Sequence, residues 1–270
     1  MKAVLSVLLV AAAACSTEIG EPGGDDAPGT PDPSGGNNGN NDGSMTYVFA
    51  HTATELYKVD PDTLQITRVG PFQWVGAADQ MTDLAIDKTG RMIGVSFSSV
   101  YQVDPRSART TLLSSGLQGS FNGLSFVPAQ MLGLTGDDVL IGTRNTDGVV
   151  SRIDPLTGQA TSVGDMGAQF RSSGDLVAVA GFGTVQTTVG VSSDMLSKLS
   201  PVTFQATPAS NSTGVNQIWG IAFWKGTVFG FTESGQFVTI DPSTGLAKVV
   251  QSTGPAWWGA AVITTAPVVR

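Results

Sequence analysis

The sequence predicts an all-β fold, a five-bladed β-propeller of four-stranded antiparallel blades, and three observations carry that expectation. One hairpin, turning at the same proline, is written five times. A short apolar segment almost free of charge recurs between the hairpins. The two ends of the repetitive region each hold the part of a repeat that the other lacks.

The hairpins are LYKVDPDTLQITRVG (56–70), VYQVDPRSARTTLLS (100–114), VSRIDPLTGQATSVG (150–164), LSKLSPVTFQATPAS (196–210) and FVTIDPSTGLAKVVQ (237–251). Each opens with a short alternating strand, turns at Asp-Pro or Ser-Pro, and continues into a strand rich in Thr and Val. Proline presets φ for the turn, the preceding Asp or Ser can bond nearby backbone, and Gly158 and Gly245 can take positive φ. The turn prolines are Pro61, Pro105, Pro155, Pro201 and Pro242, a period of 41 to 50 residues.

The apolar segments are TDLAIDK (82–88), NGLSFVP (122–128), GDLVAVA (174–180), WGIAFWK (219–225) and WGAAVIT (258–264). Short runs of this kind suit strands buried on both faces. A second strand follows most of them: RMIGVSF (91–97), DVLIGTR (138–144), QTTVGVS (186–192) and TVFGFTE (227–233). Buried strand, second strand, third strand, Pro turn, fourth strand at this period is the signature of propeller blades. TYVFAHT (46–52) is a second strand with no buried strand before it, whereas WGAAVIT has no hairpin after it. Joining the two completes a fifth blade and pairs the open edges of the ring. A β-helix or a sandwich is the competing architecture, although a sandwich leaves five copies of one strand order unaccounted for.

Composition agrees. Of 270 residues only 13% are charged and 34 are Gly, which favours short strands and tight turns over helices. The net charge of −8 is unevenly spread. Residues 16–45 hold six acidic side chains and no basic one, while residues 46–270 hold 13 basic and 16 acidic. No basic stripe stands ready to neutralise phosphates, which excludes nucleic acid as the expected partner.

Three segments precede or form the domain: 1–14, 15–45 and 46–270. Residues 1–14 read as a short signal peptide, with Lys2, an apolar run Ala3 to Val10, and four alanines before Cys15, the only cysteine. The small residues ending at Cys15 resemble a bacterial lipobox, with Ala12 where Leu is commonest. The alternative is an ordinary secretory signal that leaves Cys15 free. The resemblance implies an acylated Cys15 that holds the chain on a lipid bilayer, since each buried methylene contributes about 0.8 kcal/mol. Ser16 after the cysteine implies sorting to the outer membrane. Residues 16–45 are mostly Gly, Pro, Asn, Asp and Ser, too poor in apolar surface to offset the entropy of ordering. Such a tether has a reach of about 30 Å. By its Asp-Pro-x-Thr-Gly turns, the region 46–270 resembles bacterial secreted propellers with NHL-like or YVTN-like repeats, a resemblance that speaks to architecture rather than activity.

Groups for catalysis are few. His51 is the only histidine, which excludes multi-histidine zinc sites, and it reads as a polar residue at a strand end. No Gly-x-Ser-x-Gly elbow, Walker loop or dinucleotide fingerprint occurs, so no cofactor is expected and no metal site is assigned. Asp60, Asp104, Asp154 and Asp241 read as turn formers. The expected site is geometric: the loops entering the inner strands and those joining second to third strands converge at one mouth of the channel. These bring Trp74, Phe121, Arg171, Trp219, Trp257 and Trp258 as candidate ligand residues, with His51, Ser98, Arg144, Asn145, Asp194 and Glu233 beside them. Trp219 and Trp258, each before Gly at one repeat position, could equally plug the ring. Asp83, Asp175 and Glu233 are candidates for a weak cation site or for acid–base work, although Asp83 and Asp175, at one repeat position beside the channel, read first as caps of inner-strand backbone. The expected function is a non-enzymatic binding or scaffold lipoprotein presenting a propeller face to a protein or polysaccharide. The alternative is a carboxylate-based hydrolase or lyase at the channel mouth.

Overall fold

The computed structural model describes residues 47–210 and 212–269. Cys15 and the segments expected to be a signal peptide and a tether lie outside the described residues. The twenty strands fall into five four-stranded sheets. The first contains β1 (Val48–His51), β2 (Glu55–Val59) and β3 (Ile66–Pro71). The second runs through β4 (Asp83–Ile86), β5 (Met92–Val95), β6 (Val100–Val103) and β7 (Thr110–Ser114). The third is β8 (Gly123–Val127), β9 (Val139–Thr143), β10 (Val149–Ile153) and β11 (Ala160–Asp165). The fourth is β12 (Ser172–Val179), β13 (Gly183–Thr188), β14 (Met195–Leu199) and β15 (Ala206–Pro208). The fifth is β16 (Ile218–Trp224), β17 (Thr227–Thr232), β18 (Phe237–Ile240) and β19 (Ala247–Gln251). The last strand, β20 (Gly259–Ala261), returns to the first sheet.

That return closes the ring as the sequence predicts. β20 pairs antiparallel with β1 in the register Phe49–Ala261, Ala50–Ala260 and His51–Gly259. The first blade therefore takes its inner strand from the end of the chain, and the fold is a five-bladed propeller.

The Pro turns are one device repeated. The main-chain N–H four residues after Asp60, Asp104, Asp154, Ser200 and Asp241 donates to the carbonyl of that residue at 2.7–2.8 Å. In the four Asp copies the carboxylate also accepts the N–H two residues on, at 2.7–2.9 Å. At Asp60 the N–H of Thr63 joins that of Asp62, and main-chain donors hold the carboxyls of Asp60, Asp104 and Asp154 below the usual range; at Asp241 the Ser243 hydroxyl and N–H do the same. The position that follows is left-handed in every copy: Leu64, Ala108, Gly158, Phe204 and Gly245 have φ between 58° and 73°. Only two copies spend a glycine there. Ala108 and Phe204 are buried, so packing holds their strained backbone.

One strand is placed differently from the sequence expectation. The second strand of the fourth blade is Gly183–Thr188, not 186–192. Gly181 and Gly183, at φ 80° and 118°, make the preceding turn early. The segment after Thr188 becomes the next turn, with Val191 fully in solvent.

The core lies between blades. Inner and second strands are almost wholly buried, and the fourth strands carry the exposed residues. After β20 the chain does not stop. Ile263 bridges Ile86 of β4, Thr264 O accepts the Ala180 N–H at 2.8 Å, and Pro267 O accepts the Lys225 N–H at 2.8 Å. Thr264 Oγ1 also donates to Asp138 Oδ2 at 2.6 Å. This tail contacts four of the five blades at the end of the ring where the inner strands finish.

Candidate functional site

The opposite end is where the inner strands begin. Because each blade is antiparallel throughout, the turns between second and third strands lie at that same end. Trp219 is the second residue of β16 and Trp258 immediately precedes β20. They meet edge to face, with ring centroids 6.2 Å apart at 86°. The sequence reading missed a third ring. Phe97, in the turn after β5, meets Trp258 at 6.5 Å and 77°, and it is 55% exposed. Three repeats thus contribute one aromatic each to a single cluster at the mouth. The signal in the sequence was the Phe that ends RMIGVSF.

Of the other expected mouth residues, some are buried in the core and some are engaged by neighbouring groups. Phe121 and Trp257 are buried in the core, at 3% and 1% exposure. Phe121 fills the space beside Gly142, and Trp257 packs edge-on against Tyr57 and Phe231. Trp74 is half-buried between Phe72 and Tyr101. Arg171 donates to the carbonyls of Phe170 and Ala168, at 2.7 and 3.3 Å. Arg144 is paired with Asp147 through two contacts, at 2.7 and 3.2 Å. Asp194 accepts the Ile218 N–H at 2.7 Å, so it anchors the start of β16, and burial pushes its carboxyl up. Glu233 sits in the turn after β17, where its N–H bonds Gln217 O at 3.0 Å. Gln217 itself is left-handed, at φ 55°, two residues before Trp219.

Directly beneath the aromatic cluster is the centre of the ring. The five equivalent inner-strand positions are Gly259, Asp83, Gly123, Asp175 and Gly220, in order around it. Three glycines make room for two aspartates. A Cβ at Gly259 would strike Asp83 Oδ1 and His51 Nε2, and one at Gly220 would strike the backbone of Gly259. Asp83, Asp175 and His51 are all 0% exposed. His51 is at a strand end as expected, the last residue of β1, but it is fully buried against Asp83 rather than lying in a polar loop. Its Nδ1 donates to Thr52 O at 2.9 Å, its Nε2 stands 3.7 Å from Asp83 Oδ1, and burial lowers its pKa to about 4. Asp175 accepts the N–H groups of Leu176 (2.6 Å) and Ile221 (2.8 Å), and Asp83 accepts that of Leu84 (2.8 Å). Both carboxyls are pushed well above the usual carboxylate range, chiefly because burial disfavours their charge, and at Asp83 the charge of Asp175 adds to the rise. Among the described residues no group of three His, Cys, Asp or Glu side chains forms a metal-ligating set.

Comparison with solved structures gives the fold. A chain in the crystal structure of a nidogen/laminin complex superposes with TM-score 0.55 at 10% identity, over 82% of this chain and all of that one. A protein of unknown function from Bacteroides thetaiotaomicron VPI-5482 superposes with TM-score 0.50 at 12% identity, over 82% of this chain and 62% of that one. No protein-family model matches the sequence, and no curated protein does.

Proposed function

We propose that this chain is an exported, lipid-anchored binding module of the cell envelope, using the aromatic end of its propeller to hold a protein or polysaccharide. The observation that carries the reading is the asymmetry of the two ends. One is crossed by the chain's own C-terminal segment; the other carries Phe97, Trp219 and Trp258 from three repeats, with Phe97 more than half exposed. Aromatic rings that are large, rigid and partly wet are the usual anchors of binding surfaces. The lipobox-like segment before Cys15 supports the anchor, and the Gly- and Pro-rich residues 16–45 support a spacer that lifts the ring off the membrane.

A hydrolase or lyase using Asp83 and Asp175 has less support. Both carboxyls are fully buried and already engage main-chain N–H groups, so a substrate could reach neither without opening the ring. The test is capture of envelope components by the full-length chain against a Phe97→Ala, Trp219→Ala, Trp258→Ala triple variant. The reading expects a partner, protein or glycan, that the folded triple variant loses. A partner held equally by both would overturn the mouth. The anchor has its own arm: Cys15→Ser should move the protein from the membrane to the soluble fraction, and unchanged membrane association would refute lipidation at that residue.

A further inference from the structure

The centre of the ring holds more acceptors than donors. His51 Nδ1 faces a carbonyl oxygen, Thr52 O, which can only accept, so Nδ1 carries the hydrogen and Nε2 presents a lone pair. That lone pair points toward Asp83 Oδ1 at 3.7 Å, and Nε2 has no hydrogen-bond partner. On Asp175 both oxygens are supplied, Oδ1 by Leu176 N–H and Oδ2 by Ile221 N–H. On Asp83, Oδ1 is supplied by Leu84 N–H, while Oδ2 has no such donor and is completely buried. Asp83 and Asp175 occupy equivalent inner-strand positions at the ring centre, both are fully buried, and no cationic side chain of the described residues pairs with either. Two carboxylates buried together without a cation cannot both stay charged; one of them must carry a proton.

We propose that a single proton, held on Asp83 Oδ2 and donated to the Asp175 carboxylate, is the central clasp of the propeller at neutral pH, and that its loss on the alkaline side loosens the ring. The clasp reaches three blades directly. Main-chain N–H groups of Leu84, Leu176 and Ile221, from β4, β12 and β16, bond this acid pair. The fifth inner strand is held against it by Gly259, whose missing side chain lets Asp83 and His51 approach. Trp258, next in the chain to Gly259, donates its N–H to His51 O at 2.8 Å, so the mouth rests on this centre.

Among the described residues, His51 from β1 and Asp175 from β12 are the titratable side chains facing Asp83; β8, β16 and β20 bring glycines. No lysine or arginine of the described residues forms an ion pair with either carboxyl. The sign follows from linkage. The folded chain keeps a proton that the unfolded chain releases near pH 4, so stability falls as pH rises above that value until the clasp itself ionises. Across pH 7–9 His51 is neutral in both states. Tyr57, pushed up to about 12 by burial, and Tyr101, raised for the same cause, are protonated in both.

The test is urea unfolding of the full-length chain from pH 7 to pH 9, with EDTA present throughout. One proton held only by the folded state gives a tenfold rise in the unfolding equilibrium constant per pH unit, about 1.4 kcal/mol each. Asp83→Asn replaces the proton with a permanent amide donor, so that variant should be flat over the same range. A wild-type constant that does not change, or an Asp83→Asn variant with the same slope, overturns the proposal. Recovery of stability on adding calcium or zinc would also overturn it, because the missing positive charge would then be a metal ion. Should the variant fail to fold, infrared spectroscopy of the wild type decides. A protonated carboxyl stretch at pH 8 that vanishes on unfolding supports the clasp, and its absence refutes it.

Discussion

The Pro turns and the ring centre are both five-fold positions, yet they behave in opposite ways. At the turns every copy performs the same task by nearly the same means: a carbonyl closes the turn, a carboxylate or hydroxyl caps it, and a left-handed residue exits it. At the centre the five equivalent residues are two aspartates and three glycines, because five identical side chains could not share one axis. Repetition therefore reports the architecture, and the breaking of repetition reports where this ring was given something particular to hold. The aromatic mouth shows the same thing, since Phe97, Trp219 and Trp258 come from three blades and have no counterpart in the other two.

The largest expected effect separates neighbouring tryptophans. Trp257→Ala should cost about 3–5 kcal/mol of stability by leaving a cavity between Tyr57 and Phe231. Trp258→Ala, half-buried at the mouth, should cost below about 1.5 kcal/mol. Urea titration of both variants checks the pair, and equal losses would make Trp258 core. Next is Gly259→Ala, whose methyl meets Asp83 and His51. Overpacking there should cost roughly 3 kcal/mol. The corresponding change at a turn, Gly158→Ala, should cost less, about 2 kcal/mol, from left-handed strain and contact with Gly116. A turn more sensitive than the centre would reverse the comparison.

The smallest effect is in pH dependence. His51 is buried neutral with its pKa lowered to about 4, so it contributes stability above its unfolded value of 6.5 that is lost as pH falls toward 4. The acid pair, raised, contributes with the opposite sign over the same window. Between about pH 4.5 and 6.5 the two should nearly cancel, leaving a plateau in unfolding free energy. His51→Gln should tilt that plateau, with stability declining as pH rises.

How much of this could be read in the sequence follows from the same contrast. The Asp-Pro turns and the WG and GD segments announced five blades, and the unmatched ends announced closure, because those features depend on local backbone chemistry repeated in register. The mouth was partly legible. Trp219 and Trp258 stood out by their shared position before Gly, but Trp257 and Phe121 looked equivalent to them, and only packing separates a ring turned inward from one turned out. His51 read as a polar residue at a strand end, and nothing local shows that this end is buried at the channel. Its meeting with Asp83 and Asp175 joins residues from three different sheets. The fourth blade's second strand was displaced because Gly190 mimics the glycine found inside the equivalent strands, whereas the Gly181 and Gly183 turn sets the true start.

Ring closure supports every other statement, and one cross-link tests it. Ala50 and Ala260 are opposite each other on β1 and β20. Paired strands place Cα atoms about 4.5–5.5 Å apart, within disulfide reach. In an Ala50→Cys, Ala260→Cys variant that also carries Cys15→Ser, oxidation should give an intrachain disulfide in nearly all of the monomer and raise the thermal midpoint. Cysteines that stay free under oxidant, or that link only between chains, would contradict the closed five-bladed ring and with it the mouth and the acid pair at its centre.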